Sequence, residues 1–554
     1  MALKLDLSDI QGNVLIAYGR LGFPKARCVL LHINKNQAYK ARAFLEELRG
    51  KITTAELWPS SKTANLPEDM VTAQRPDVAI NVAFTFMGLL AMGVPVRTLR
   101  SFPDEFQQGM LDRAEILMDD PNGLGRPESR WDPIWLNERS DPQAEIHALV
   151  TFNASANPAN FDSPEAALEA AFQWLKNRCG DNEAVSILAG HGGPNPLYQD
   201  MSALEEPDPD GPPGSMRYSR KEHFGFADGF GDPVFEGQYP DAVMAARVVG
   251  QGKRTADQTW LPLATGEFLL GYPDEAQEVP PAPAPLDFSR NGTFLAYRKL
   301  HQNVKAFAEY ISNTASRYGA SYGVDQQEAE ETLKAKMAGR WSDGVPLMVA
   351  PTYGEWQVFR GRLAKAKADN NEAEFNRLTQ QLTDFTYAGD TDGSKCPFSS
   401  HLRRSNPRDM LDPTVPANAT AEQLTKATSV LNNRRRLLRR GLPYGTTTPI
   451  HSDEVEQGVL LLFLCSSLFR QFEFIQQQWM QYGLDFNAGN DTCPIIGNHG
   501  PDAKFVIATS ADSGKPPFIC DRPPQFVETR GGAYFFVPSM TALRLIAQGL
   551  TDPT

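Results

Sequence analysis

A single histidine lies in the stretch Cys396-Pro-Phe-Ser-Ser-His-Leu-Arg-Arg-Ser-Asn-Pro-Arg408, where His401 is followed by Arg403, Arg404 and Arg408. No second histidine or carboxylate has the spacing of a zinc site. One imidazole can hold iron when a porphyrin supplies the other ligands, and guanidinium groups bind the haem propionates. A lone histidine is more often packed or solvated, and a basic loop is usually solvated. A haem site around His401 is therefore a working hypothesis.

A glycine-rich segment, residues 223–233, places Asp228 among Gly225, Gly229 and Gly231. Glycine lets the backbone lie flat against a planar ligand, where a Cβ atom would clash. An ionised aspartate beside haem could act as a general base that moves a proton between the two peroxide oxygens. Its ordinary pKa of about 4 favours acid conditions. Because Asp-Gly is also a common turn signal, an ordinary turn in a cofactor-free protein is the alternative.

Two arginines precede the sequence Gly-Leu-Pro-Tyr-Gly at residues 439–445. This pattern predicts that the chain leaves a helix at Arg439 and enters a fixed turn, which would mount one guanidinium rigidly. A fixed cation beside the iron would stabilise the negative charge that develops as the O–O bond breaks. Because residues 434–436 are also arginines, a solvated basic face is the alternative.

The composition is that of a globular protein without a nucleic-acid partner. The chain has 554 residues, 41% hydrophobic and 22% charged, with a net charge of −13, and its length predicts about two to four domains. The acidic balance argues against nucleic acid or an anionic membrane as the main partner. We find no export signal, the apolar run at 82–94 is too short to span a membrane, and the six cysteines form no CxxC pair. These features predict a cytoplasmic protein with reduced thiols.

The order of elements predicts two ferredoxin-like α+β domains with antiparallel sheets and flanking helices. In the first half the hydrophobic pattern predicts strands at 26–33, 77–86, 147–153 and 186–190, with helices at 38–48 and from Ser163-Pro164 to Gly180. In the second half it predicts strands at 292–299, 458–465 and 533–537 and polar helical segments at 325–341 and 363–382. A proline run at 279–285 resembles a linker. We therefore expect one domain at 1–285, with the Asp228 segment, and one at 286–554, with helical insertions.

Together, three motifs resemble those of the dye-decolourising peroxidases: Gly225-x-x-Asp-Gly229, His401-Leu-Arg-Arg-Ser-Asn-Pro-Arg408 and Arg439-Arg-Gly-Leu-Pro-Tyr-Gly445. Further agreement lies at residues 9–15, 291–299, 339–341 and 471–476. The resemblance covers about residues 9 to 548, and the length resembles the larger branch of the family, here without an export signal. It implies two ferredoxin-like halves with haem held in the second.

The resemblance also implies that the cofactor is haem b. In that case His401 would be the proximal iron ligand, Asp228 the distal acid–base residue and Arg439 the distal arginine. Arg408 and Arg403 would contact the propionates, and Leu461 and Phe463 would form walls of the distal pocket. It further implies a peroxidase, monomer or homodimer, that uses hydrogen peroxide to oxidise dyes and small aromatic donors through a ferryl intermediate. The alternative is a non-catalytic haem carrier or storage protein, which has no need of both Asp228 and Arg439.

The chain departs from the family in one place. Many relatives carry an acid where this chain has Cys465-Ser-Ser467, and such an acid could support the proximal imidazole. Ser467 cannot supply that charge. Glu454, Glu456 and Asp485 are the candidates to replace it, and a weaker partner would change the potential of the iron.

Overall fold

Two repeats of one β-α-β-β-α-β order run through the chain in a computed structural model, which describes residues 3–60, 63–64, 66, 71–416, 419–445, 452–510 and 513–550. The first repeat comprises β1 (Lys25–Ile33), α1 (Ala38–Arg49), β2 (Val78–Phe84), β3 (Ala148–Ala154), α2 (Pro164–Asn182) and β4 (Val185–Ile187), followed by β5 (Gln199–Ser202). Its strands are antiparallel in the order β2-β3-β1-β4, with β5 also paired to β1. This is the strand order of a ferredoxin-like unit.

Helix α2 begins as the sequence predicts and ends later. The Ser163 side chain accepts a hydrogen bond from Ala166 N at 3.2 Å, and Pro164 occupies the first turn. The predicted end at Gly180 is wrong, because the helix continues to Asn182 and ends where Glu183 adopts a left-handed conformation. An added Cβ atom on Gly180 would meet nothing within 4 Å, so a glycine there costs only some helix propensity.

The second repeat carries the helical insertions. Its elements are β6 (Thr293–Gln302), α3 (Val304–Tyr322), α4 (Gln326–Ala338), α5 (Tyr353–Ala368), α6 (Glu372–Gln381), α7 (His401–Ser405), β7 (Leu438–Gly445), β8 (Gln457–Cys465), β9 (Lys504–Ile507), β10 (Phe518–Asp521), β11 (Val527–Val537) and α8 (Met540–Gln548). Two π-helical segments, Leu468–Glu473 and Ile475–Trp479, follow β8. The antiparallel sheet has the order β7-β8-β6-β11, so the ferredoxin-like order recurs.

Two predictions for this half are wrong. The segment predicted as one helix at 363–382 is divided between α5 and α6, and α5 starts at a capping box formed by Thr352 and Glu355. The predicted turn at residues 439–445 is strand β7, paired along its length with β8.

One sheet joins the repeats. Strands β11 and β2 pair at Phe536 and Phe84, and β7 lies beside β5 at the other edge. The Phe536 ring packs against Phe102 and Phe294 in the core that both repeats share. The architecture confirms the predicted α+β class with antiparallel sheets. The predicted boundary between residues 285 and 286 falls between β5 and β6.

Smaller elements lie before, within and between these repeats. Short helices lie at Gly12–Leu15, Phe86–Ala91, Val96–Leu99, Asp104–Gln108, Pro133–Leu136, Asp241–Arg247, Leu286–Ser289, Ala421–Thr425 and Val430–Asn433, and short strand pairs at Glu205–Pro207 with Met216–Tyr218 and at Lys253–Arg254 with Trp260–Leu261. Within the described ranges, every helix is too short or too polar to cross a membrane.

Candidate active site

His401 is the first residue of the short helix α7, directly after its N-cap residue Ser400. The half-buried imidazole lines a cavity, and its Nδ1 atom lies 3.3 Å from the Sγ atom of Cys493. The Nε2 atom makes no hydrogen bond to any residue that the structure describes, so its lone pair is available to a metal. The described part of the chain contains no cluster of three histidine, cysteine or carboxylate side chains suited to a metal. Any iron here would need its remaining ligands from a cofactor.

Arg404 fastens α7 to the loop that follows the π-helical segments. Its fully buried guanidinium donates to the carbonyl oxygens of Trp479, Tyr482 and Asp491, and also to Ser399. Each bond runs between a charged donor and a buried acceptor, which makes it stronger than a neutral pair. Arg404 is therefore occupied with backbone carbonyl groups and is not free to bind a carboxylate.

Arg403 points away from the cavity. Its guanidinium donates to the Asp390 carboxylate at 2.7 Å and to Cys396 O, and it lies against the rings of Tyr387 and Phe398. Side-chain exposures of 2% and 0% make Arg403–Asp390 a buried pair. This geometry does not support the prediction that Arg403 contacts a propionate, because its donors already bind other groups.

Two other arginines are buried without a carboxylate partner among the described residues. Arg408 donates to Phe385 O at 3.0 Å and stacks 3.8 Å from the centre of the Phe385 ring, while its Nε atom has no partner. Arg436 lines the cavity and makes only long contacts, 3.4 and 3.5 Å, to carbonyl oxygens. Burial lowers the pKa of Arg408, and burial together with the Arg408 charge lowers the pKa of Arg436 to about 9. An anionic group would stabilise both cations.

The pairing of β7 with β8 positions three further side chains. Arg439 lies opposite Phe463 and Gly441 opposite Leu461. Because strand residues alternate between faces, Arg439, Leu461 and Phe463 all line the cavity. Glycine is required at 441, since a Cβ atom there would lie 2.0 Å from Leu460 O. A ladder of hydrogen bonds, rather than the predicted turn, mounts the Arg439 guanidinium.

Asp228 is held at the end of a tight loop. Its backbone N–H donates to Arg220 O at 2.9 Å, and the neighbouring Ala227 N–H donates to Ser342 O at 2.8 Å. Gly229 has a φ of 94°, and an added Cβ atom there would lie 2.9 Å from Arg20 Nε. The glycine therefore allows both the turn and the close approach of the Arg20 side chain, and the turn agrees with the signal in the sequence.

Asp228 and Arg439 form an ion pair between two cavities. The Arg439 guanidinium donates to Asp228 Oδ1; the Asp228 side chain is 45% exposed and the Arg439 side chain 36%. Arg439 lines the cavity that contains His401 and, with Asp228, a second cavity of about 310 Å³. The exposed parts of this pair therefore face internal space that small molecules could occupy.

The electrostatic environment keeps Asp228 ionised. Burial of the carboxylate raises its pKa, but the charges of Arg439, Arg20 and His401 and the Gly229 N–H outweigh burial, so the pKa of Asp228 falls below its usual value. Glu222, on the wall of the second cavity, differs, because burial raises its pKa to about 7. Of these two carboxylates, Asp228 is the one suited to accept a proton in mildly acid solution.

None of the predicted replacements for the family acid contacts the imidazole. Glu456 binds Lys299 at 3.2 Å, Asp485 accepts from the Trp479 indole at 3.1 Å, and Glu454 is exposed. Ser467 caps the first π-helical segment and accepts from Arg470 N. The neighbour of the imidazole is Cys493, a residue 92 positions from His401 that no sequence motif indicates.

Comparison with known proteins finds relatives of one kind. Residues 9–177 match the family model described as DyP dimeric alpha+beta barrel domain. The chain is similar to Peroxidase 2 of Mycetinis scorodonius, with 25% identity over 98% of this chain and 88% of the relative. It is also similar to the multifunctional dye peroxidase DyP2 of an Amycolatopsis species, with 29% identity over 97% of this chain and 95% of the relative. By these matches the chain is similar to DyP-type peroxidases over nearly its whole length. The motifs had indicated the same family.

The fold of the chain is also that of a solved DyP-type peroxidase. The crystal structure of a fungal DyP-type peroxidase from Auricularia auricula-judae superposes with a TM-score of 0.69 at 21% identity, and the match covers 100% of both chains. At that identity the likeness concerns the fold. It supports the antiparallel α+β architecture predicted from the order of elements.

The structure brings most of the predicted site residues together. His401, Arg439, Leu461 and Phe463 line one cavity, and Asp228 is bound to Arg439. The Arg408 charge acts on Arg436 at the cavity wall, although Arg408 itself does not line the cavity. Two residues were missed. Arg436 could not be distinguished within a run of arginines that resembled a solvated face, and Cys493 carries no local signal.

Proposed function

We propose that this chain is a haem-dependent peroxidase that uses hydrogen peroxide to oxidise dyes and other aromatic electron donors. The observation that carries the proposal is the Asp228–Arg439 ion pair, which opens into internal space and adjoins the cavity containing His401. A proton acceptor beside a fixed cation is what peroxide cleavage requires. A haem carrier or storage protein needs neither group, so this pair favours the enzyme over the carrier.

The residues of the cavity fit haem b. His401 offers its Nε2 atom, and Arg436, with Arg408 behind it, offers positive charge without a carboxylate partner among the described residues. Apolar side chains complete the wall: Leu461, Phe463, Phe472, Ile475, Met480 and Ile496. We propose His401 as the proximal ligand, Arg408 and Arg436 as the charges that face the propionates, and Leu461 and Phe463 as walls of the distal pocket.

The polypeptide has three tasks in this scheme. Bound haem supplies the iron at which the peroxide O–O bond breaks and through which the donor is oxidised. Asp228 would accept the proton from one peroxide oxygen and return it to the other. Arg439 stabilises the negative charge on that oxygen and keeps Asp228 ionised. His401 would hold the iron through its Nε2 atom.

Both predicted domains contribute to the site. Asp228 belongs to the proposed domain at 1–285, whereas His401 and Arg439 belong to the one at 286–554. All six cysteines are free and buried, which supports our proposal of a reducing, cytoplasmic location. We keep the expectation of a monomer or homodimer with no nucleic-acid or membrane partner.

An absorption spectrum and a dye-bleaching assay test the proposal. Protein purified after expression with ample haem should show a Soret band and bleach an aromatic dye with peroxide at acid pH. A Soret band without bleaching in the native protein would support the carrier instead. A colourless protein that gains no Soret band when haem is added would contradict both haem functions.

A further inference from the structure

The proximal imidazole has a sulfur neighbour that the sequence motifs do not contain. The Cys493 Sγ atom lies 3.3 Å from His401 Nδ1, a hydrogen-bonding distance for sulfur, and Cys493 is completely buried. No carboxylate among the described residues hydrogen-bonds to His401. The sulfur therefore has no competitor for the Nδ1 atom.

We propose that Cys493 is the positioning residue of His401 and accepts a hydrogen bond from its Nδ1–H group. The inference rests on the proposed function, because it requires iron at Nε2. A neutral imidazole with iron at Nε2 carries its proton on Nδ1, so Nδ1 is the donor. The partner of that proton fixes the ring orientation and sets how much electron density the ligand gives the iron.

The position of the sulfur is set by backbone contacts. Cys493 N donates to Met480 O at 2.7 Å, and Cys493 O accepts from Gly497 N at 2.9 Å. Arg404, three residues after His401, donates to carbonyl groups at Trp479 and Asp491 in the same region. Helix α7 and the cysteine loop are thus fastened together by buried hydrogen bonds. The contact between Nδ1 and Sγ does not depend on two freely rotating side chains.

The chemistry of sulfur distinguishes this partner from a carboxylate. A thiol sulfur is a weak acceptor, whereas a carboxylate is a strong, charged one. A weak acceptor leaves the imidazole less electron-rich, which favours ferrous over ferric iron. Cys493 therefore gives this chain a more positive iron potential than the same site with an acid.

The test uses haem-loaded full-length protein with Cys493→Ala and Cys493→Asp. The matched control is Cys396→Ala, since Cys396 is also buried beside α7 but its sulfur contacts Ser400 Oγ at 3.1 Å. The readouts are the ferric/ferrous midpoint potential and the iron–histidine stretching frequency of the ferrous protein. Alanine should raise the potential, lower the frequency and weaken haem retention by about 10-fold. Aspartate should lower the potential and raise the frequency, and the control should change neither.

The inference is overturned if Cys493→Ala leaves both readouts at their native values, or if alanine and aspartate shift them in the same direction. Cys493→Val, which fills the space without accepting a hydrogen bond, replaces alanine if that variant does not fold. A different result would contradict the proposed function: a His401→Ala protein that retains the native iron–histidine band. If the Cys493 variants leave both readouts unchanged while His401→Ala loses that band, only the role of Cys493 is contradicted and the proposed function stands.

Discussion

The two faces of the candidate site are built in opposite ways. On the side of α7, Arg403 and Arg404 are buried and bonded to a carboxylate or to backbone carbonyls, and the Cys493 thiol is completely enclosed. On the other side, Asp228 and Arg439 are joined to each other, and both are more than a third exposed into internal cavities. One face is saturated with internal hydrogen bonds, whereas the other keeps charged atoms accessible.

This contrast suits two different tasks, holding a metal ligand in one orientation and transferring a proton to a small molecule. A metal ligand must keep one orientation, and a network of buried hydrogen bonds provides that rigidity. A proton acceptor must instead reach a small molecule that enters and leaves, so its atoms cannot all be occupied. Substitutions on the cavity side should therefore affect the rate with little effect on stability. Substitutions around α7 should affect stability and the properties of the iron.

The largest effect is expected for Asp228→Asn. Because the amide cannot accept the peroxide proton, the rate of reaction with peroxide should fall by about 10²–10⁴-fold. Stopped-flow absorption of the haem-loaded protein measures this rate. The Soret band before mixing and the midpoint of urea unfolding should stay near native values. A native rate would exclude Asp228 as the acid–base residue.

Arg439→Ala should slow the same reaction by about 10²–10³-fold, because it removes one preorganised charge from the departing oxygen. Stopped-flow absorption measures this rate for Arg439→Ala and for the conservative variant Arg439→Lys. Lysine keeps the charge but loses the planar donor geometry, so its rate should lie between those of the alanine variant and the native protein. Equal rates for all three proteins would contradict the role of the guanidinium.

On the other face, Arg404→Ala should lower the free energy of unfolding by about 3 kcal/mol, since several buried carbonyl groups lose a charged donor. Urea unfolding measures the change. Arg362→Ala is the matched control, because Arg362 pairs with Glu374 on the surface at 52% exposure and exposed pairs contribute little to stability. A similar small change in both variants would remove the contrast between the faces.

The smallest expected effect is a change in the pH at which the rate of the peroxide reaction declines. In the proposed scheme the peroxide reaction needs Asp228 ionised, and the pKa of Asp228 lies below its usual value chiefly because the nearby positive charge of Arg439 outweighs burial. The native rate should therefore persist in acid and decline only as the pH falls through this lowered pKa. In Arg439→Ala the pKa rises, so the residual rate should decline at a higher pH. A pH profile of the residual rate that coincides with the native profile would contradict this coupling.

The sequence was sufficient for the repeats and for the residues with local signals. Alternating apolar residues identified most strands of both halves, and His401 and Asp228 stood out because each lies in a short, unusual motif. Arginines were harder to assign, because Arg403, Arg404, Arg408 and Arg436 are chemically identical in sequence. Only tertiary packing shows that Arg403 and Arg404 bind protein groups while Arg436 lines the cavity.

Strand β7 was missed for a physical reason. Pro443 and two glycines resemble a turn, yet β7 is the terminal strand in the order β7-β8-β6-β11. An edge strand tolerates proline, since one side of it donates no ladder hydrogen bond. Cys493 could not be found at all, because its contact with His401 joins residues 92 positions apart.

The spectrum of His401→Ala, loaded with haem beside the native protein, tests the account most directly. We predict that the native Soret band and the iron–histidine stretch are lost, that bleaching of the dye falls to the level of free haem, and that added imidazole partly restores the band. A His401→Ala protein with the native Soret band and native bleaching would show that iron is held elsewhere, and the assignment of both faces would be wrong.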